Sequence, residues 1–302
     1  MLKSLLVCLL FTGLSVQLFA QQEPLTSQYN FIPLAYNPSY AGINNVTNFS
    51  FNSRFQWNKI EGGPQTNIFT GSTSLVNGAV GLGLLVMNDQ LGITNNTTVQ
   101  FSGSYKISTS TQTFSFGLQA GLVDYRQNFE KLNLSVADDP LFAPGSERAT
   151  KFNLGAGATY MDEKMFISIS VPRLIKNKGG DNNVTVLSER HFYLTGAYLF
   201  DIDLGVKLKP SVLLRWVPGS PMSYDLNLSA LLNNNLWLGA FTRNFNTYGL
   251  MVQYDFMDAY RIGYAFEVLN TNFSGNLVPT HEIMLSADLA LFAHQAVYRR
   301  FF

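Results

Sequence analysis

The 302-residue chain carries 20 Lys and Arg against 20 Asp and Glu, a formal net charge of zero. Charged residues make up 13%, about half the ~25% usual in soluble domains, while aromatics reach 14%. This balance excludes a nucleic-acid binder that works through a basic patch. The apolar content excludes a disordered chain, and so few charges would leave a soluble protein of this length short of polar surface.

Residues Met1–Ala20 read as a secretory signal peptide. Lys3 supplies the positive start, Leu5–Phe11 the apolar stretch, and Leu18-Phe19-Ala20 a cleavage site before Gln21-Gln22. The one cysteine, Cys8, lies inside this segment. Cleavage therefore leaves a chain without disulfides, thiolate nucleophile or cysteine metal site. No later stretch is long and apolar enough for a transmembrane helix, which needs about 18 consecutive apolar residues. A membrane reading then requires a closed barrel, the other fold that satisfies every backbone group in lipid.

From residue 45 to the end the pattern is alternation with a period of two, the signature of a strand with two different faces. Clear runs are Asn48–Trp57, Val99–Ile107, Thr113–Val123, Lys151–Tyr160, Met222–Leu232, Tyr260–Val268 and His281–Leu291. Weaker ones are Asn67–Leu75, Ala79–Met87, Met165–Val171, His191–Phe200, Val206–Val217, Leu236–Arg243 and Thr247–Asp255. Together they predict about fourteen strands, an even number, as single-chain bacterial barrels have. The fold class expected is all-β: a transmembrane antiparallel β-barrel preceded by an N-terminal periplasmic segment. Its divisions are 1–20 (signal peptide), 21–44 (N-terminal segment) and 45–302 (barrel).

Charge placement agrees. Arg54, Lys106, Lys151, Lys207, Lys209, Arg215, Asp225, Arg261, Glu267, Glu282 and Asp288 all fall on the polar parity and are expected to face the lumen. A midplane Lys or Arg facing lipid costs about 2–4 kcal/mol, so a barrel wall demands this segregation. Arg243 is ambiguous, because it shares a parity with Trp237 and Phe241. A soluble sandwich also alternates, but its outward face is richer in Lys and Glu than the Ser, Thr, Asn, Gln and Gly found here. The lumen charges pair and fill the interior or line a channel; their excess of Lys and Arg also suits an anion or an acidic peptide.

The connections alternate in length. Short turns such as Val76-Asn77-Gly78 and Asn233-Asn234-Asn235 fall on one side. Longer loops, Asp124–Ala149, Pro172–Glu189 and Leu269–Thr280, fall on the other. Short periplasmic turns and long external loops are the outer-membrane rule. Phe129, Leu132, Leu134, Leu141 and Phe142 make the first of these loops unusually apolar, a candidate partner loop.

Motifs for chemistry are missing. His191, His281 and His294 show no metal-ligand spacing, and there is no G-x-S-x-G elbow or phosphate-binding loop. The glycine-rich run Gly78–Gly83 sits in a strand, where close backbone packing explains it. The expectation is a non-enzyme with no catalytic, metal or cofactor site.

Between the signal peptide and the first strand, Pro33 and Pro38 oppose regular structure, and Asn37-Pro38 favours a turn. Covered aromatics there suggest packing into the periplasmic mouth of the barrel. The run Ser27-Gln28-Tyr29 followed by Tyr36-Asn37-Pro38-Ser39-Tyr40-Ala41-Gly42 resembles the opening signature of the PorP/SprF family, outer-membrane proteins of the type IX secretion system of Bacteroidota. Where that family has Met-Phe-Asn-Pro, this chain has Asn30-Phe31-Ile32-Pro33. The resemblance implies a non-enzymatic barrel that supports secretion or gliding. It would do so by exporting or anchoring a large adhesin or cargo recognised through its C-terminal domain, together with periplasmic secretion components. Gln28, Tyr29, Tyr36, Asn37, Pro38, Tyr40, Ala41 and Gly42 are read as structural. The competing reading is a passive porin or small-solute transport barrel embedded in outer-membrane lipid.

Overall fold

The computed structural model describes residues 23–58, 60–131, 146–177, 189–270 and 278–291. The signal-peptide reading therefore lies outside the described residues. Fifteen strand segments are present: β1 (Thr47–Phe55), β2 (Gln65–Leu75), β3 (Val80–Leu91), β4 (Thr94–Ser108), β5 (Gln112–Asn128), β6 (Ser146–Asp162), β7 (Met165–Val171), β8 (Phe192–Tyr198), β9 (Phe200–Asp203), β10 (Val206–Trp216), β11 (Ser223–Leu232), β12 (Leu236–Arg243), β13 (Thr247–Phe256), β14 (Tyr260–Leu269) and β15 (Val278–Leu289). β8 and β9 follow each other along the same edge of β10 and count as one wall strand. The break falls at Leu199, whose N–H still bonds the Lys164 carbonyl as the next rung of the β7–β8 pair. Each strand pairs antiparallel with its sequence neighbours. β1 closes onto β15 from Thr47↔Leu289 to Phe55↔His281, giving a closed 14-strand barrel.

Alternation decides which residues meet lipid. Phe101, Phe116, Leu118, Ile169 and Leu250 are among the most exposed apolar side chains, while their inward neighbours are mostly small and polar. Aromatic pairs mark both rims of this apolar belt: Phe114 with Tyr160 and Phe256 with Tyr260 at the turn end, Phe192 with Trp216 and Tyr224 with Phe245 at the loop end. Such girdles sit at the two membrane interfaces. Several tight turns place two successive non-glycine residues at positive φ, as at Val76-Asn77, Asn233-Asn234 and Met257-Asp258. This geometry matches the twist of the flanking strands.

The wall is uneven in height. β5 and β6 have 17 residues each, against 7 in β7 and 8 in β12. The outward stripe of β5 runs Phe114, Phe116, Leu118, Leu122 and then changes to Asp124 and Arg126. Asp124 is ion-paired to Arg148 at 2.7 Å and accepts from Thr150 at 2.7 Å. The β5–β6 hairpin thus climbs beyond the apolar belt on the loop side. The expected loop at 124–149 is therefore shorter than the alternation suggested, because residues 124–128 and 146–149 continue the ladder. Cross-strand pairing there tolerates charged residues on the outward face once lipid ends.

The N-terminal segment goes further than the mouth of the barrel. Residues 23–46 run through the bore, from the loop end at Glu23 to the turn end, where they join β1. Three short 3-10 turns, Tyr29–Phe31, Pro33–Ala35 and Pro38–Tyr40, carry it, the latter two opened by proline. Proline fits there because the first N–H of a helical turn lacks a partner anyway.

Candidate functional site

The lumen divides into two stretches held by different forces. In the inner stretch, 29–46, the wall is cut to the shape of the chain. Gly81, Gly117 and Gly157 face it directly, and a Cβ there would overlap the Ala41 carbonyl, the Ser39 backbone and the Asn37 amide oxygen respectively. The wall's hydroxyls complete the fit. Ser170 donates to the Tyr36 carbonyl at 2.7 Å, Ser115 to Ser39 at 2.6 Å and Ser104 to Ala41 at 2.7 Å. The Lys106 ammonium donates to the Gly42 carbonyl and, at 2.7 Å, to Asn45. Irregular backbone has no ladder to satisfy its carbonyls, so these side chains supply the missing partners. The small polar lumen face is a receptor for backbone.

Aromatic contacts add an apolar seam. Phe31 meets Trp237 edge to face at 5.8 Å, Tyr36 meets Tyr193 at 5.7 Å, and Tyr40 meets Phe166 at 5.8 Å. Lys209 stands 4.5 Å from the ring centres of both Phe31 and Trp237, a cation–π arrangement. Trp237 and Phe241 therefore point inward and are buried. That corrects the reading of β12, in which their hydrophobicity set them apart from the polar parity. Arg243 shares their inward face and forms an ion pair with Asp225 at 2.9 Å. The segment provides the apolar partner that an empty lumen would lack.

In the outer stretch, 23–28, the contacts are ionic. Arg54 bridges Glu267 and Glu282, at 3.1 Å to the latter, and all three are buried. Glu282 accepts the backbone N–H of Ser27 at 2.8 Å and of Gln28 at 3.0 Å, and Ser27 Oγ donates to Glu267 at 2.8 Å. Above this triad, Glu23 ion-pairs with Arg173 at 3.1 Å and accepts from the Tyr193 hydroxyl at 3.3 Å. Its N–H donates to His191 Nε2 at 3.3 Å, and Arg215 donates to its carbonyl at 3.2 Å. Burial pushes the Glu23 carboxyl up, but the Arg173 guanidinium beside it outweighs burial and holds it below the usual carboxylate range. The Tyr36 hydroxyl accepts the Thr26 N–H at 2.9 Å and lies 3.0 Å from the Thr26 hydroxyl.

The residues singled out in sequence take these places. Gln28, Tyr29, Tyr36, Asn37, Pro38, Tyr40 and Ala41 are buried in the segment, and Gly42 turns it at φ +59° towards β1. Arg54, Lys106, Lys209, Arg215, Asp225, Glu267 and Glu282 are buried on the inner face. Arg261 pairs with Asp255 there. Lys151 is half-buried on the same face, Lys207 pairs with Asp201 at the turn-end rim, and Asp288 accepts from Asn48 at 2.8 Å. Phe129 opens a 3-10 turn at the top of β5; Leu132, Leu134, Leu141 and Phe142 lie outside the described residues. The sequence reading missed Glu23, Arg173 and Tyr193, and it noted His191 only for lacking metal spacing. No spacing joins residues 168 positions apart, such as Glu23 and His191.

Beside the segment, against Ser168, Ser170, Thr195 and Leu213, remains a cavity of about 20 Å³. That is room for about one water molecule.

A closed barrel with an apolar outer belt, aromatic rims and a polar interior defines an outer-membrane protein. Solved structures with this fold include the CymD monoaromatic hydrocarbon channel (11% identity, TM-score 0.53, 90% of this chain and 94% of that one) and a TodX monoaromatic hydrocarbon channel mutant (10%, 0.50, 84% and 92%). The Acinetobacter baumannii outer membrane protein Omp33 is also similar (13%, 0.47, 82% and 99%). No curated protein matches the sequence. The family profile of the type IX secretion system membrane protein PorP/SprF matches residues 18–287, and the chain belongs to that family.

Proposed function

We propose that this protein is a non-enzymatic accessory barrel of type IX secretion, which receives or anchors a partner adhesin or secreted protein through that partner's C-terminal domain. It would reach the periplasm with Met1–Ala20 as a cleaved signal and work beside periplasmic components of the same machine. The filled bore carries this reading. A segment with buried ion pairs, glycine seats and hydroxyl-to-backbone bonds suits a scaffold better than an open aqueous channel. The projecting β5–β6 hairpin, with Phe129 at the top of β5, offers the partner surface; Leu132, Leu134, Leu141 and Phe142 follow Phe129 in the sequence between the two strands.

The second reading is a passive small-solute transport barrel. The fold shared with CymD and TodX is compatible with it, and the segment packed through the bore speaks against it.

Affinity purification of the tagged protein from its own outer membrane, followed by mass spectrometry, tests the choice. Recovery of a large secreted protein or of secretion-machine subunits supports the accessory role. A protein recovered alone that conducts ions steadily in planar bilayers would favour the transport reading.

A further inference from the structure

We propose that Arg173, His191, Tyr193 and Arg215 form a carboxylate-binding site at the outer end of the bore, occupied here by Glu23 of the chain's own N-terminal segment and open to a carboxylate ligand once Glu23 leaves. The inference goes beyond the secretory role and does not depend on it.

The site is built. Arg173 Nε and the Tyr193 hydroxyl address the two oxygens of one carboxylate, at 3.1 and 3.3 Å. Arg215 holds the adjoining backbone carbonyl at 3.2 Å, and His191 receives the N–H at 3.3 Å. His191 Nδ1 lies 3.1 Å from the Glu189 carbonyl, which fixes the ring with Nε2 towards the site. Tyr193 and His191 are almost fully buried, so these groups are not idle surface groups.

The donor set exceeds what Glu23 uses. Gln100 is 2% exposed, and its amide nitrogen has no hydrogen-bond partner. It lines one small cavity together with Glu23, Pro172 and Arg173. Beside it Glu23 Oε1 also lacks a hydrogen bond, so one buried donor and one carboxylate oxygen stand unsatisfied at the site, a pairing that a differently placed carboxylate would complete. The nearby acids are accounted for. Asp89 accepts from Thr66 at 2.7 Å within range of Arg173, and Asp225 lies within range of Arg215 but is bound by Arg243.

The site also reaches solvent. The side chains of Glu23 and Arg173 retain 14% and 12% exposure, unlike the buried triad beneath them. Glu23 is tethered, so it competes at an effective concentration on the order of mM. A ligand that displaces it must offer the same chemistry: a carboxylate on a small organic acid, or one at the end of a protein chain.

The test uses the full-length protein in mild detergent. The Glu23→Ala variant is titrated calorimetrically with sodium acetate and with a short peptide ending in a free carboxylate. Acetamide and the C-amidated peptide serve as neutral counterparts. Carboxylates should bind the variant at least about ten-fold more tightly than the wild type, given that tether. The neutral counterparts should bind neither, and adding Arg173→Ala should abolish binding. Acetate binding as tightly as the peptide assigns the site to small acids; preference for the peptide assigns it to a chain terminus. Equal binding of charged and neutral forms to a folded variant overturns the proposal. If Glu23→Ala does not fold, the Thr26→Cys protein is labelled with a thiol reagent instead. Labelling that rises with acetate and not with acetamide supports the site, and a rate indifferent to acetate overturns it.

Discussion

The two ends of the lumenal segment are held by opposite strategies. Residues 23–28 are gripped by charge: Glu23 by Arg173, and Ser27 and Gln28 by Glu282 under Arg54. Residues 29–46 are gripped by shape: three wall glycines, donated hydroxyls and the Phe31–Trp237, Tyr36–Tyr193 and Tyr40–Phe166 contacts. Charge pairs in a bore answer to pH and to competing ions. Close packing answers to neither, since a packed seat loses contacts only when atoms are added or removed. The inner stretch is thus fixed by packing and the outer stretch by charge, the arrangement on which the proposed exchange at Glu23 rests.

Breaking the charge grip at its centre should have the largest effect. Arg54→Ala leaves Glu267 and Glu282 buried without the cation that bridges them, and removing one partner of such a set costs about 3–5 kcal/mol. Urea unfolding in detergent, read by heat-modifiable gel mobility, measures it. The companion variant Glu282→Gln keeps one acceptor oxygen and should release one of the Ser27 and Gln28 amides while leaving β1 and β15 paired.

Attacking the shape grip comes next. Gly117→Ala puts a Cβ onto the Ser39 backbone, which cannot yield as a flexible side chain does. Overpacking of this kind costs about 1–3 kcal/mol. Protease should then cut within 29–46 in the variant and not in the wild type. Persistence of an uncut, fully stable protein would show that the seat is looser than the glycine contacts require.

Acid sharpens the contrast. The Glu23 carboxyl is held below its ordinary range, so its contribution is complete above the unfolded value near pH 4 and is lost as pH falls through the folded value. Hydrogen exchange should therefore quicken at residues 24–28 in that acid window while residues 37–41 stay protected. Equal loosening of both stretches would remove the distinction.

The smallest effect belongs to the projecting hairpin. The Arg148 side chain is 59% exposed, so water screens its ion pair with Asp124 and the pair contributes little to stability. Arg148→Ala should leave stability unchanged and weaken recovery of a partner, if that face is used.

Much of this was legible in the sequence. Alternation locates the wall strands, and the polar parity carries Arg54, Lys106, Asp225 and Glu282 inward, because a charge facing lipid is too costly to be ambiguous. Strand ends were less legible: residues 124–128 and 146–149 lose the apolar stripe once they leave lipid, although their ladder continues. Trp237 and Phe241 misled for the converse reason, since a hydrophobic residue on a barrel strand reads as lipid-facing unless something apolar fills the bore. The signature Tyr36-Asn37-Pro38-Ser39-Tyr40-Ala41-Gly42 was conspicuous, but nothing in it says that Asn37, Ser39 and Ala41 fit against Gly157, Gly117 and Gly81.

By itself, then, the sequence determined a barrel, its approximate strand count and its family, because period, charge cost and motif are local properties. Tertiary structure alone decided that the N-terminal segment spans the bore, that Arg54 meets two glutamates from distant strands, and that Glu23 ends among Arg173, His191, Tyr193 and Arg215. Those contacts join residues far apart along the chain, and only closure of the barrel between β1 and β15 brings them together.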